Sequence, residues 1–72
     1  MNRKRFIVAG NIKEFKKWEL ENPESIATFV AGPNEFRGQH HFDVEYYGTY
    51  YRRNDLLDIE EQIWFARLEE TK

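Results

Sequence analysis

Apolar residues run unbroken through Phe6-Ile7-Val8-Ala9 and stop at Gly10-Asn11; twenty-two residues later Thr28-Phe29-Val30-Ala31 stops at Gly32-Pro33. Each copy is followed by a short polar stretch closing on Glu-Phe, first Glu14-Phe15 and then Glu35-Phe36. A continuous apolar run ended by glycine is the pattern of a parallel strand, covered on both faces, that turns into a helix. The echo predicts β–turn–α units with their turns on one edge of a sheet. Residues 5–9 show no alternation, so this strand is expected at the sheet centre. Residues 42–47 differ: Phe42, Val44 and Tyr46 alternate with Asp43, Glu45 and Tyr47, the period of a strand with one wet face. This third strand is expected at an edge.

Between the strands the helix signals are local. Asn11 suits an N-cap, and Glu14 three residues on completes a capping-box pattern. The first helix is expected to run to about residue 22, burying Ile12 and Phe15 with Trp18 and Leu20 on its flanks, until Pro23 stops it. The second strand is expected over residues 26–31. Pro33 then opens one helical turn through Arg37, which Gly38 ends. Gly48 breaks the third strand, and residues 49–54 form a polar, aromatic loop. Asp55 and Asp58 give the capping pattern of the last helix, whose Leu56, Ile59, Ile63 and Ala66 are spaced to face the sheet. Leu57, Trp64 and Leu68 form a second row about 100° away around the helix, with Glu60 and Arg67 between the rows. This surplus row either packs on the first helix or a loop, or binds a partner. A homodimer is expected, using that row or the open edge of the third strand, because so short a chain gains stability by burying it.

The expected fold is a single α/β domain spanning residues 1–72, a Rossmann-like miniature with two main helices and a short helical turn. Right-handed crossovers give a three-stranded parallel sheet of order 2-1-3. The return to the third strand, residues 31–41, has about eleven residues, near the lower limit of roughly a dozen for a parallel connection. An antiparallel third strand is the alternative.

Composition narrows the context. A chain of 72 residues is close to the size at which one core barely folds, and the absence of cysteine removes both disulfides and thiolate metal sites. No apolar run approaches the roughly 18–20 residues of a membrane span, and the basic start Asn2-Arg3-Lys4-Arg5 leads into too short a run for a signal-peptide core. A cytoplasmic protein is expected. Six Phe, four Tyr and two Trp supply large rings for a small core or for an interface. Eleven basic against thirteen acidic residues leave a net charge of −2, which argues against a dedicated duplex-binding module.

Catalytic chemistry finds no support. Single glycines after the strands do not make a phosphate loop, and Pro33 removes a backbone N–H where a phosphate would need one. His40 and His41, adjacent in an extended segment, point to opposite sides and cannot chelate one ion together. Ser25 is the only serine, and a wet strand face accounts for Asp43 and Glu45. The reading is therefore a protein without catalytic residues, cofactor or metal. The carboxyl ends of the strands, where open sheets bind ligands, collect Asn11, Arg37, Tyr50, Tyr51, Arg52 and Arg53, together with Asn34 and Asn54. Tyrosine and arginine there suit a protein partner. The alternative is weak single-stranded nucleic-acid binding by the same residues with Lys13, Lys16 and Lys17.

Three pieces carry a resemblance across nearly the whole chain: Phe6-Ile7-Val8-Ala9-Gly10-Asn11 with Phe15 and Trp18 behind it; Arg37-Gly38; and residues 47–56, Tyr-Gly-Thr-Tyr-Tyr-Arg-Arg-Asn-Asp-Leu. In these the chain resembles a loose set of small α/β proteins encoded by bacteriophages and prophages, and more faintly a miniature of the second RecA-like lobe of helicases without its nucleotide loop. The phage set has no established activity. The resemblance implies an accessory protein acting inside an infected bacterial cell, and it assigns no catalytic residue.

Overall fold

Parallel pairing on both sides of one central strand organises the molecule. In the computed structural model, which describes residues 4–70, β1 (Lys4–Ala9) lies between β2 (Thr28–Phe29) and β3 (Phe42–Tyr47), giving the order β2-β1-β3. Phe6 pairs with Thr28 on one side and Val44 on the other, and Ile7 with Phe29 and Glu45. Helix α1 (Ile12–Glu21) follows β1, a 3₁₀ turn (Pro33–Phe36) follows β2, a second 3₁₀ turn (Tyr50–Arg52) follows β3, and α2 (Leu56–Glu70) closes the chain. Arg3 of the basic start lies outside the described residues, and no described helix is long and apolar enough to cross a membrane.

The α/β architecture and the parallel 2-1-3 order are those the sequence predicts. The short return to β3 succeeds because a 3₁₀ turn rises about 2 Å per residue against 1.5 Å in an α-helix, so few residues cover the distance. Gly38 and His41, at φ of 74° and 57°, bend the chain back into register.

The sheet separates two cores. Phe6 and Val8 point to the α2 side with Val30, Phe36, Phe42, Ile59, Ile63 and Ala66; Ile7 and Ala9 point to the α1 side with Phe15 and Trp18. Phe36 is the wedge of the first core, its ring 4.8 Å from Phe6 and 5.2 Å from Phe42. On α2 the row Ile59, Ile63 and Ala66 is buried with Leu56 beside it, as helical spacing predicts.

Two expectations change. On α1 the buried pair is Phe15 and Trp18, stacked at 6.2 Å, whereas Ile12 and Leu20 are exposed. Residues three apart share one helix face, and a ten-residue helix reaches the sheet along that single stripe. The second strand is also shorter than residues 26–31. Ile26 is exposed, and although the Val30 N–H still bonds the Ile7 carbonyl at 3.0 Å, the carbonyls of Val30 and Ala31 turn to a side chain, as described next.

Candidate functional site

At the carboxyl end of the sheet the backbone needs donors, and Arg53 supplies them. Its Nη1 donates to the carbonyls of Ala9 at 3.1 Å and Val30 at 2.6 Å, and its Nη2 donates to that of Ala31 at 3.1 Å. The other edge of the guanidinium forks onto Asp55, Nε to Oδ1 at 2.9 Å and Nη2 to Oδ2 at 3.0 Å. Five directed donations from one planar group join β1, β2 and the start of α2. The side chain is 9% exposed, so Arg53 acts within the fold. Asp55, expected only as a helix cap, is its counter-ion.

A second junction lies beside it. Asn11 caps α1, its Oδ1 accepting from the Glu14 N–H at 3.0 Å. Glu14 reaches one residue beyond the cap, accepting from the Gly10 N–H at 2.8 Å, and also binds Thr49 across the sheet end. The Thr49 N–H donates to Oε1 at 3.0 Å and Oε2 at 3.2 Å, and its hydroxyl lies 3.1 Å from both. These donors, the Thr49 N–H foremost, hold the Glu14 carboxyl below its ordinary value. The carboxylate requires glycine on both sides. A Cβ at Gly48, where φ is +65°, would stand 2.5 Å from Glu14 Oε1, and one at Gly10 would collide with the Thr49 hydroxyl and the same carboxylate.

Of the six residues singled out as a binding set, the structure groups Tyr50, Tyr51 and Arg52. Tyr50 is half-buried against the α2-side core; Tyr51 and Arg52 are exposed in the same 3₁₀ turn. Asn11 is exposed while capping α1. Arg37 stands apart, because it follows Phe36, whose ring packs on Phe42 at the opposite, starting end of β3. The three residues chosen as an oligomer interface are all exposed on α2: Leu57 at 80%, Trp64 at 58% and Leu68 at 42%.

The cluster around Tyr50 is larger than the sequence indicates. An open groove of about 410 Å³ runs between β3 and α2, lined by Tyr46, Tyr50, Glu60, Ile63, Trp64 and Arg67. The Tyr46 and Tyr50 rings lie 4.9 Å apart and those of Tyr50 and Tyr51 5.7 Å apart, so an aromatic row runs from the groove onto the exposed loop. Burial and the nearby Glu60 carboxylate push the Tyr46 hydroxyl up from its ordinary value. Alternation placed Tyr46 on the covered face with Phe42 and Val44; its partial exposure follows from how far α2 extends across that face, which no local pattern encodes. Lys13, Lys16 and Lys17 are exposed on α1, which packs on the other face of the sheet. They are not continuous with the aromatic row. Among the described residues no three His, Asp or Glu side chains gather into a metal site.

Comparison with protein-family models, curated proteins and solved structures finds no match to this chain.

Proposed function

We propose that this protein is a non-enzymatic binding module for another protein, contacting it through the aromatic face formed by Tyr46, Tyr50, Tyr51 and Trp64. The observation that carries the reading is that exposed Tyr46 and Trp64 line one groove with Tyr50, whose ring in turn meets that of exposed Tyr51. Tyrosine and tryptophan with a flanking arginine, here Arg52 and Arg67, are the residues that anchor protein interfaces. Single-stranded nucleic acid is the weaker reading, because Glu60 lines the groove and the α1 lysines lie on the other face. What supports an accessory role in the cytoplasm of an infected bacterium is the sequence resemblance to small phage proteins alone.

Self-association is a second reading, favoured by the exposed row Leu57, Trp64 and Leu68 on α2. A homodimer through this row would cover one wall of the groove.

The test is a pull-down from bacterial lysate with wild type, Tyr51→Ala/Arg52→Ala and Trp64→Ala, at low and raised salt. Arg53 is left intact, because losing it would damage the fold and mimic lost binding. A partner held by the wild type, released by both folded variants and retained at raised salt supports the reading. Capture that collapses with salt favours nucleic acid. Identical capture by all three chains, or none, refutes it.

A further inference from the structure

Helix α2 is apolar on two sides. Ile59, Ile63 and Ala66 are buried against the sheet, whereas Leu57, Trp64 and Leu68 form an exposed outer row. Glu60 and Arg67, both exposed, line the groove along one flank of that row. Two helical turns, about 10 Å of axis, separate them, so neither neutralises the other at contact distance. Arg67 holds its guanidinium 5.5 Å from the Phe42 ring centroid, and a guanidinium over a ring still directs its N–H fork outward in its own plane. Glu61 is turned about 100° from Glu60, onto the other flank of the row.

Reversing the helix exchanges the places of the two charges. A two-fold axis midway between them falls beside Trp64 and sets Glu60 of each copy opposite Arg67 of the other. The same rotation brings Trp64 against Trp64, and Leu68 to within about 3 Å of Leu57 of the other copy along the axis. We propose that α2 packs antiparallel on α2 of a second copy about this axis, with Trp64 at the centre and a Glu60–Arg67 ion pair on each side of it. This deepens the self-association reading above and rests on it.

Charge selects both the occupant and its direction. One acid and one base at this spacing are complementary to their own reverse, which a second copy supplies. A parallel pair would instead set Glu60 against Glu60 and Arg67 against Arg67, and like charges so placed repel. The size of the chain gives the pairing its drive, because burying the row adds apolar area that a core of 72 residues lacks.

The test is sedimentation equilibrium of the full chain over a concentration series, with Glu60→Arg, Arg67→Glu and their equal mixture beside the wild type. Wild type should dimerise. Each reversal alone should weaken the dimer about ten-fold or more, because every pair becomes like-charged. The mixture should recover to within about three-fold of wild type, since both contacts between unlike chains are again Arg–Glu. Direction is read without charge variants. Leu57→Cys and Leu68→Cys chains, in a protein with no other cysteine, should join through a short thiol cross-linker when mixed. Neither should join alone, because like positions lie roughly 13–20 Å apart along the axis. A dimer that ignores the reversals, a mixture no tighter than its parts, or cross-linking of either cysteine chain alone would overturn the proposal and leave self-association standing. A monomer at every concentration would remove both.

Discussion

Arg53 Nη1 lies 2.6 Å from the carbonyl oxygen of Val30, twenty-three residues earlier in the chain, and the same guanidinium reaches Ala9, Ala31 and Asp55. One side chain thus ends two strands and positions the helix that follows. Truncating it leaves three carbonyls and a carboxylate without that donor.

Arg53→Ala is expected to destabilise the fold by about 3 kcal/mol, the cost of breaking a largely buried charged network. Urea unfolding measures this, and thermal melting should show a loss of roughly 10 °C or more in so small a domain. Arg53→Lys should recover less than half, because a point charge cannot fork onto Asp55 and the strand ends together. A variant within experimental error of wild type would dismiss the structural role.

Gly48 and Gly32 should separate sharply. Gly48→Ala combines a left-handed backbone with a Cβ against Glu14, costing about 2 kcal/mol or more. At Gly32 a Cβ meets nothing within 4 Å and the backbone is extended, so Gly32→Ala should change stability by less than about 0.5 kcal/mol. Equal effects in denaturant titrations would contradict the Glu14 junction.

Acid should act through Glu14. Its folded carboxyl lies below the ordinary 4.5, held there first by the Thr49 N–H. A depressed value means that the contribution is fully present above the unfolded value and is lost as pH falls through the folded one. Glu14→Gln should therefore flatten the stability–pH profile below about pH 4.5 while leaving its alkaline side unchanged. An unaltered acid limb in pH-dependent unfolding would count against the junction.

The α2 row makes a prediction about mass. If Leu57, Trp64 and Leu68 cover one another between copies, light scattering should report a dimer that Trp64→Glu converts to a folded monomer of about 8.8 kDa. A concentration-independent wild-type monomer removes the self-association reading.

Local sequence determined the skeleton. The unbroken run Phe6 to Ala9 with the glycine that ends it pointed to a strand covered on both faces, the alternation from Phe42 to Tyr47 marked an edge, and Ile59, Ile63 and Ala66 chose the buried side of α2, because strand and helix periods dictate which residues share a face. The strand-ending glycines and the Asn11 cap were legible for the same reason. Tertiary structure alone decided what Arg53 and Glu14 do. The sequence marked Glu14 as a local capping residue and Arg53 as a binding residue, but their long-range acceptors and donors lie up to 44 residues away in sequence, where no local pattern reaches. It likewise moved Arg37 away from the Tyr50 turn and brought Trp64 opposite Tyr46. Those placements depend on where a 3₁₀ turn and a helix come to rest on the sheet, and packing of the whole chain sets that.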